Sequence, residues 1–370
     1  MELKNKKLAL FFTKGISLRT WEKFGNLARE IEPYKELAEY FNEIYFFTYG
    51  DKKDLEYQKI LPKNIKIFPK RWNLSSTIYS LFLPVLYRKE LKKVDILKTN
   101  QMSGSWSAVL TKWLCQKKLV VRCGYEWLSF LEKQNKLLWK RIIAGLTEKI
   151  AYRNADKIIL TSEKDKNFVE TKFKIPSSKI EIISNYIDVN LFKPINLEKE
   201  KSRLCFVGRL SLQKNLVNLI KAVADLDVRL VIFGAGPLKD DLQKLASKLN
   251  SKIEFKGNVP NEKLPEELNK SEIFILPSFY EGCPKVLLEA MSCGLPCIGT
   301  DVEGIKEIIK HKENGYLCET DAHSIRKAIL EVLNNKNLQA KISQNARKTI
   351  LENFSLEKIL EEEIRIYETL

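Results

Sequence analysis

Histidine is nearly missing from the 370 residues: there are two, His311 and His323, both late in the chain. A metal centre built on several imidazoles is therefore excluded, and no metal site is expected. The seven cysteines are odd in number and include no Cys-x-x-Cys pair. Neither a zinc knuckle nor a disulfide framework follows, and a reducing, cytoplasmic setting fits. Long apolar runs are also absent. The longest candidate, 77–87, is far short of the about 20 residues that cross a bilayer, so no membrane span is expected. The first residues lack the small-residue cleavage pattern of a signal peptide and lead directly into a strand-like segment. Acid is scarce in one half only: residues 1–190 hold 36 Lys+Arg against 21 Asp+Glu, or +15, whereas 191–370 hold 27 against 26, or +1. The first half thus calls for an anionic partner.

What is present is ordinary globular material, 44% hydrophobic and 30% charged. A chain of this length exceeds what one core usually holds, so two domains are expected. Strand-like runs at 8–12, 44–48, 65–68, 94–97, 119–122 and 157–160 alternate with helical stretches, the first of them over 21–41. The pattern repeats in the second half at 204–207, 231–233, 253–256, 273–276 and near 299, with a final helix over 352–370. Strands alternating with helices indicate parallel, doubly wound α/β sheets. The boundaries expected are 1–190, 191–353 and a terminal helix over 354–370.

The most informative stretch is 276–296. An apolar strand stops at Pro277 and Ser278, a turn containing Gly282 follows, and Pro284 opens a helix over 285–292 that Gly294 and Pro296 end. The free amides of such a helix start, near Cys283, Lys285 and Val286, attract phosphate at the carboxyl end of a sheet. Two acids frame it. Glu281 precedes the helix and Glu289 sits among apolar residues within it, and eight steps of about 100° leave them about 80° apart, so both can face one cleft. Earlier, Val207-Gly208-Arg209-Leu210 leads into Gln213-Lys214-Asn215. Arg209 and Lys214 are placed at a strand's end to neutralise a diphosphate without a metal ion. Val231 to Gly236 is a strand entering a Gly-x-Gly turn, a weak signal by itself.

Glu281-Gly282-Cys283-Pro284, Glu289-Ala290-Met291 and Gly294-Leu295-Pro296 together resemble the signature of the retaining family four glycosyltransferases, also called glycosyltransferase group 1. The resemblance implies a GT-B fold: two Rossmann-like domains facing a cleft, the acceptor on the first and a nucleotide-diphosphate sugar on the second. It implies that Glu281 lies against the donor sugar, that Glu289 binds the ribose, and that the backbone from Gly282 and Pro284 to Leu287 holds the diphosphate. Gly208-Arg209-Leu210 with Lys214-Asn215 matches the family's diphosphate cations. Gly257 matches a loop near the base, and Gly15 a loop near the donor phosphate. Asn185, Asp188, Phe192 and Pro194 match the turn that closes the first domain, although Tyr186 and Ser184 stand where the family has glycine and proline. The resemblance covers the second half nearly throughout and the first half by topology. Where many relatives have a sugar-contacting histidine, this chain offers Arg122, Tyr125 and Glu126. A pairing of Arg122 with Glu126 that merely ends the strand is the structural alternative.

Two basic, aromatic stretches, 59–93 and 127–153, suit an anionic bilayer surface, and nucleic acid or plain solvent would also accept their charge. The expected enzyme is a metal-independent, retaining hexosyltransferase without cofactor. Its partners would be a nucleotide-sugar donor, a glycan or lipid-linked acceptor and an anionic membrane surface, at the inner face of the cytoplasmic membrane and without nucleic acid. A nucleotide-sugar epimerase, a pyridoxal-dependent phosphorylase and a basic nucleic-acid-binding protein are the rivals, but the missing histidine, the chain length and the lack of a binding motif weigh against them in turn.

Overall fold

The computed structural model describes residues 3–124, 126–133 and 137–370. It resolves into two compact units, Met1–Ser184 with Leu360–Leu370, and Asn185–Ile359.

The first unit holds seven strands: β1 (Lys7–Phe11), β2 (Glu43–Phe47), β3 (Ile65–Phe68), β4 (Ile96–Thr99), β5 (Lys118–Cys123), β6 (Lys157–Leu160) and β7 (Ile180–Ile182). All pair in parallel in the order β3-β2-β1-β4-β5-β6-β7. The second holds β8 (Arg203–Val207), β9 (Arg229–Phe233), β10 (Ile253–Gly257), β11 (Ile273–Leu276), β12 (Cys297–Thr300) and β13 (Tyr316–Cys318). These are also parallel, in the order β10-β9-β8-β11-β12-β13. Strands covered on both faces read as unbroken apolar runs, which is why β11, Ile273-Phe274-Ile275-Leu276, is buried at every position. In each sheet the strand order reverses once, between β1 and β4 and between β8 and β11. Ligands of open α/β sheets bind outside the carboxyl ends at such a reversal.

One expected helix is divided, and the last one starts later than expected. The stretch 21–41 forms Leu18–Lys23, capped by the Ser17 hydroxyl, and Leu27–Leu37, because Gly25 at φ 70° turns the chain between them. The last helix, expected over 352–370, runs over Leu356–Glu368 and is separated from the helix before it, Lys336–Asn353. The break is made by Ile187, whose amide donates to Phe354 O at 2.8 Å and whose carbonyl accepts from Leu356 N at 3.1 Å. That contact also carries the 185–194 turn, expected at the end of the first domain, into the second unit. There Phe192 is buried and Arg347 donates to the carbonyls of Phe192 and Val189 at 2.7 and 3.0 Å.

Leu360–Leu370 belongs to the first unit through a buried charge cluster. Glu363 accepts from Lys98 Nζ and Tyr367 Oη, and Arg122 lies 3.6 Å from its other oxygen. Burial alone would raise the Glu363 carboxyl, but Lys98 and Arg122 hold it below its ordinary range. Lys98 also sits 4.9 Å over the Tyr34 ring. Removing one member of a buried pair leaves the others uncompensated, at a cost of about 3–5 kcal/mol. All six tryptophans lie between positions 21 and 139, within the first unit. Denaturant unfolding followed by tryptophan fluorescence should therefore show Glu363→Ala losing stability in that range, with Lys98→Met plus Glu363→Leu recovering part of it, since Arg122 and Tyr367 still lack their acceptor.

Candidate functional site

The site of the second unit grows from the reversal between β8 and β11. After β8 the chain passes Gly208 and Arg209 into a short turn, Leu212–Lys214, that ends at Asn215. Asn215 takes the left-handed conformation, φ 53°, which asparagine tolerates, and its buried amide donates to Pro277 O at 2.9 Å and Thr320 O at 2.7 Å. A second staple joins the same segments: Phe279 N donates to Gln213 O, and Gln213 Nε2 to Tyr280 O, each at 2.9 Å. The loop after β11 is thereby tied to the loop after β8. Across this junction Lys214 Nζ is ion-paired with Glu281 Oε1, and the Ser278 hydroxyl donates to the same oxygen at 2.5 Å. Both side chains stay close to the surface without being free in it, Lys214 at 14% and Glu281 at 8% exposure. Arg209 is exposed and makes no hydrogen bond or ion pair among the described residues.

The helix expected after Pro284 is present as Lys285–Ser292, with Pro284 as its N-cap. The amides of its first turn have no helical acceptor, so the dipole's positive end stands at the carboxyl edge of the sheet. Leu287 is a correction within the expected phosphate cradle, since its amide donates to Pro284 O at 3.0 Å. Asn185 Nδ2 fastens the preceding loop by donating to Cys283 O at 2.7 Å, and Lys285 Nζ lies 5.1 Å from the centre of the Tyr186 ring. The tyrosine that replaces the family's glycine thus faces Lys285, next to the helix start.

Glu281 and Glu289 are not related by a helical step of about 80°, because Glu281 lies in the loop and the helix begins only at Lys285. Glu289 is buried, 1% exposed, and accepts from Asn261 Nδ2 at 3.3 Å. Asn261 follows the loop after β10, so Glu289 links the helix to the strand bearing Gly257. Gly257 itself leaves open space where a side chain would be. Gly236 serves packing, since a Cβ there would stand 2.3 Å from Leu210 O and force apart the loops after β8 and β9.

Ser278, Gln213, Asn215, Asn261 and Gly304 escaped the sequence reading. Gln213 and Asn215 had a signal as neighbours of Lys214, and Ser278 and Gly304 only as parts of turns. Gly304 is needed because the Glu281-Gly282 loop lies against it: at φ 81° it has no strain, and a Cβ would meet Gly282 O at 2.0 Å.

In the first unit the candidates do not assemble into an open site. Arg122 turns to Glu363 rather than to Glu126. Glu126 is buried and accepts both oxygens' hydrogen bonds from Tyr152 Oη, at 2.7 and 2.9 Å. Burial and the neighbouring Glu148 raise its carboxyl well above the ordinary range. Tyr125 lies outside the described residues. Gly15 sits in the loop after β1, next to Ser76, while Lys14 Nζ lies 5.2 Å from the Trp106 ring centre and 3.4 Å from Thr77 Oγ1. Lys14, missed in the sequence, is thus the cation beside this sheet's reversal.

No group of three or more His, Cys, Asp or Glu is placed to hold a metal ion among the described residues. Residues 189–349 match the family described as glycosyl transferases group 1, and residues 34–191 match glycosyltransferase family 4. The chain belongs to the group 1 glycosyltransferases. It is 32% identical over 238 residues to an uncharacterized glycosyltransferase of Methanocaldococcus jannaschii, an alignment that takes in 60% of each chain. It is 27% identical over 329 residues, 77% of this chain and 82% of the other, to the UDP-Gal:alpha-D-GlcNAc-diphosphoundecaprenol alpha-1,3-galactosyltransferase of Escherichia coli. Its structure superposes on sucrose-phosphate synthase from Thermosynechococcus elongatus with a TM-score of 0.81, covering 99% of both chains at 18% identity. The fold is GT-B, as the two parallel sheets indicate.

Two outcomes follow from these contacts. Gly304→Ala should destabilise the second unit by about 3 kcal/mol or more through strain and overpacking, read by calorimetry. In the first unit, Glu148 is raised to about 7 by burial, accepts from Leu128 N at 3.1 Å, and has its other oxygen buried without a hydrogen-bond partner among the described residues. An acid raised on folding binds more protons folded than unfolded, so its contribution is present at low pH and lost as pH rises through about 7. First-unit stability should fall over that window, and Glu148→Gln should flatten the slope in a pH series of denaturant melts.

Proposed function

We propose that this protein is a retaining glycosyltransferase that moves a hexosyl group from a nucleotide-diphosphate sugar to a hydroxyl of a lipid-linked or cell-envelope glycan. The observation that carries this reading is the ion pair of Lys214 with Glu281 across the reversal between β8 and β11, beside the exposed Arg209 and a helix N-terminus. A diphosphate leaving group needs positive charge that is already in place when its bond to the sugar stretches. Arg209 and Lys214, on the loop after β8, and the first turn of Lys285–Ser292 supply that charge from two segments of the chain. The anomeric carbon–oxygen bond to the diphosphate breaks, and the acceptor oxygen bonds to the same face of that carbon. The departing phosphate takes the acceptor's proton, so no protein base is required. Glu281 orients the sugar hydroxyls and offsets positive charge at the anomeric centre, while Ser278 and Gln213 keep its carboxylate in place. Glu289, with Asn261, takes the ribose, and the loop at Gly257 lies by the base.

The cations make a divalent metal unnecessary in this reading. The diphosphoundecaprenol named for the Escherichia coli relative supports a lipid-linked acceptor. The basic first unit supports work as a peripheral protein at the inner face of the cytoplasmic membrane.

A thermal-shift screen with UDP, GDP and ADP and their sugars should raise the melting temperature for one base, and Lys214→Ala should abolish that shift. Binding that stabilises the folded state does so by about 2.7 kcal/mol at a hundredfold excess over the dissociation constant. Turnover should fall by about 100-fold or more in Lys214→Ala and in Glu281→Gln. Full activity in either variant refutes the site, and free nucleotide diphosphate released without an acceptor would favour the epimerase.

A further inference from the structure

Three helices of the first unit, Ser76–Leu86, Ser105–Cys115 and Leu138–Asn154, pack side by side. They belong to the successive crossovers from β3 to β4, β4 to β5 and β5 to β6, which all advance in one direction along the sheet. Right-handed connections then put all three on the same face. A helix in such a layer buries one side against the strands and normally turns a polar side to water.

These do the opposite. On the first, Ile78, Leu81, Phe82 and Val85 recur three or four residues apart on the outside, with Val85 61% exposed, and the helix carries no charge at all. The second exposes Trp113 and Leu114. On the third, Leu138, Ile142, Leu146 and Ile150 follow at four-residue steps, flanked by Trp139 and Ile143, with Leu138 68% exposed. The inner side of that helix is already filled by Ala144, Ala151 and Tyr152. Together the outer sides leave on the order of 1,000 Å² of apolar surface, well above the about 300–600 Å² of the largest patch on a typical soluble monomer.

Charge selects the occupant. The three helices carry five cations, Lys112, Lys140, Arg141, Lys149 and Arg153, and a single acid, Glu148, which is buried. Lys112 and Arg141 are partly answered by Asp156 at 2.6 Å and Glu132 at 3.6 Å. A second copy of this chain would bring the same positive face to the contact and be repelled. An anionic bilayer offers the complement: hydrocarbon for the leucines and isoleucines, headgroup phosphate for the cations, and an interface that tryptophan favours.

We infer that this three-helix face is seated in an anionic bilayer, with its apolar side chains below the headgroups and Lys140, Lys149 and Arg153 at the phosphates. The inference rests on the reading of a lipid-linked acceptor and adds that attachment is hydrophobic rather than electrostatic alone. Among the described residues no helix is long and apolar enough to cross a membrane, so the face lies on the bilayer rather than through it.

Flotation of the full chain with vesicles of phosphatidylcholine plus phosphatidylglycerol tests this, at about 0.15 M and about 1 M salt, where screening shortens from about 8 to about 3 Å. The chain should float with the vesicles and stay largely bound at the higher salt. The double variant Ile142→Glu plus Leu146→Glu, both at exposed positions, should bind about tenfold less or weaker, with an unchanged melting temperature. Absence of flotation, complete release at high salt, equal flotation of the variant, or a concentration-dependent dimer that the variant abolishes each overturns the inference. Nucleotide-diphosphate binding by calorimetry should be the same in the variant. Loss of that binding in the parent chain strikes the proposed reaction, not the docking face.

Discussion

One ion pair organises the second unit: Lys214, reached from the end of β8, against Glu281, reached from the end of β11. The two strands are neighbours only because the sheet reverses its order there, so the pair exists only once that topology has formed. Much of the surrounding loop structure keeps it in register. Asn215 and Gln213 staple the two loops, the Ser278 hydroxyl holds the carboxylate, and Thr300 in turn takes Ser278 O at 2.5 Å. A charged pair at a rim with water on one side is weak as a source of stability. In the proposed reaction its value is readiness, since a lysine already ordered would lose little freedom on meeting an anion.

The first unit handles charge differently. Its net excess of cations is on the outside, while inside it holds ionisable groups with little or no access to solvent. Lys98, Arg122 and Glu363 tie the last helix to this sheet, and Glu126, Glu148 and Tyr152 lie beneath the helices that follow β5. These clusters explain why Arg122 and Glu126 do not pair with each other at the end of β5. Each already has a partner in the interior, and removing it would strand a buried charge or a buried hydroxyl. The open polar surroundings of this sheet's reversal belong instead to Lys14, Gly15 and Thr77.

Much of this was legible in the residues. Runs such as Ile273-Phe274-Ile275-Leu276 and Ile158-Ile159-Leu160 could be placed as strands because parallel strands covered on both faces are apolar along their buried length. The helix Lys285–Ser292 could be bounded because Pro284 and Gly294 are local signals that act through their own backbone. The division of the first helical stretch at Gly25 was not legible, nor was the start of the last helix, which is set by Ile187, about 170 residues away in the chain, donating and accepting at the gap before Leu356. The helical angle between Glu281 and Glu289 misled for a related reason: a wheel describes residues on one helix, and one of these stands outside it.

Sequence alone therefore determined what short-range chemistry controls. It named most of the strands and the proline-opened helix, singled out a lysine, an arginine and two acids near glycine-bearing turns, and put the positive charge in the first half. Tertiary structure decided which of those side chains meet. It joined Lys214 to Glu281, sank Glu289 beside Asn261, locked Arg122 onto Glu363 and turned the apolar sides of three helices outward. The difference is physical: caps and turns act within a few residues, whereas partners and burial depend on strands adjacent in space but far apart in the chain.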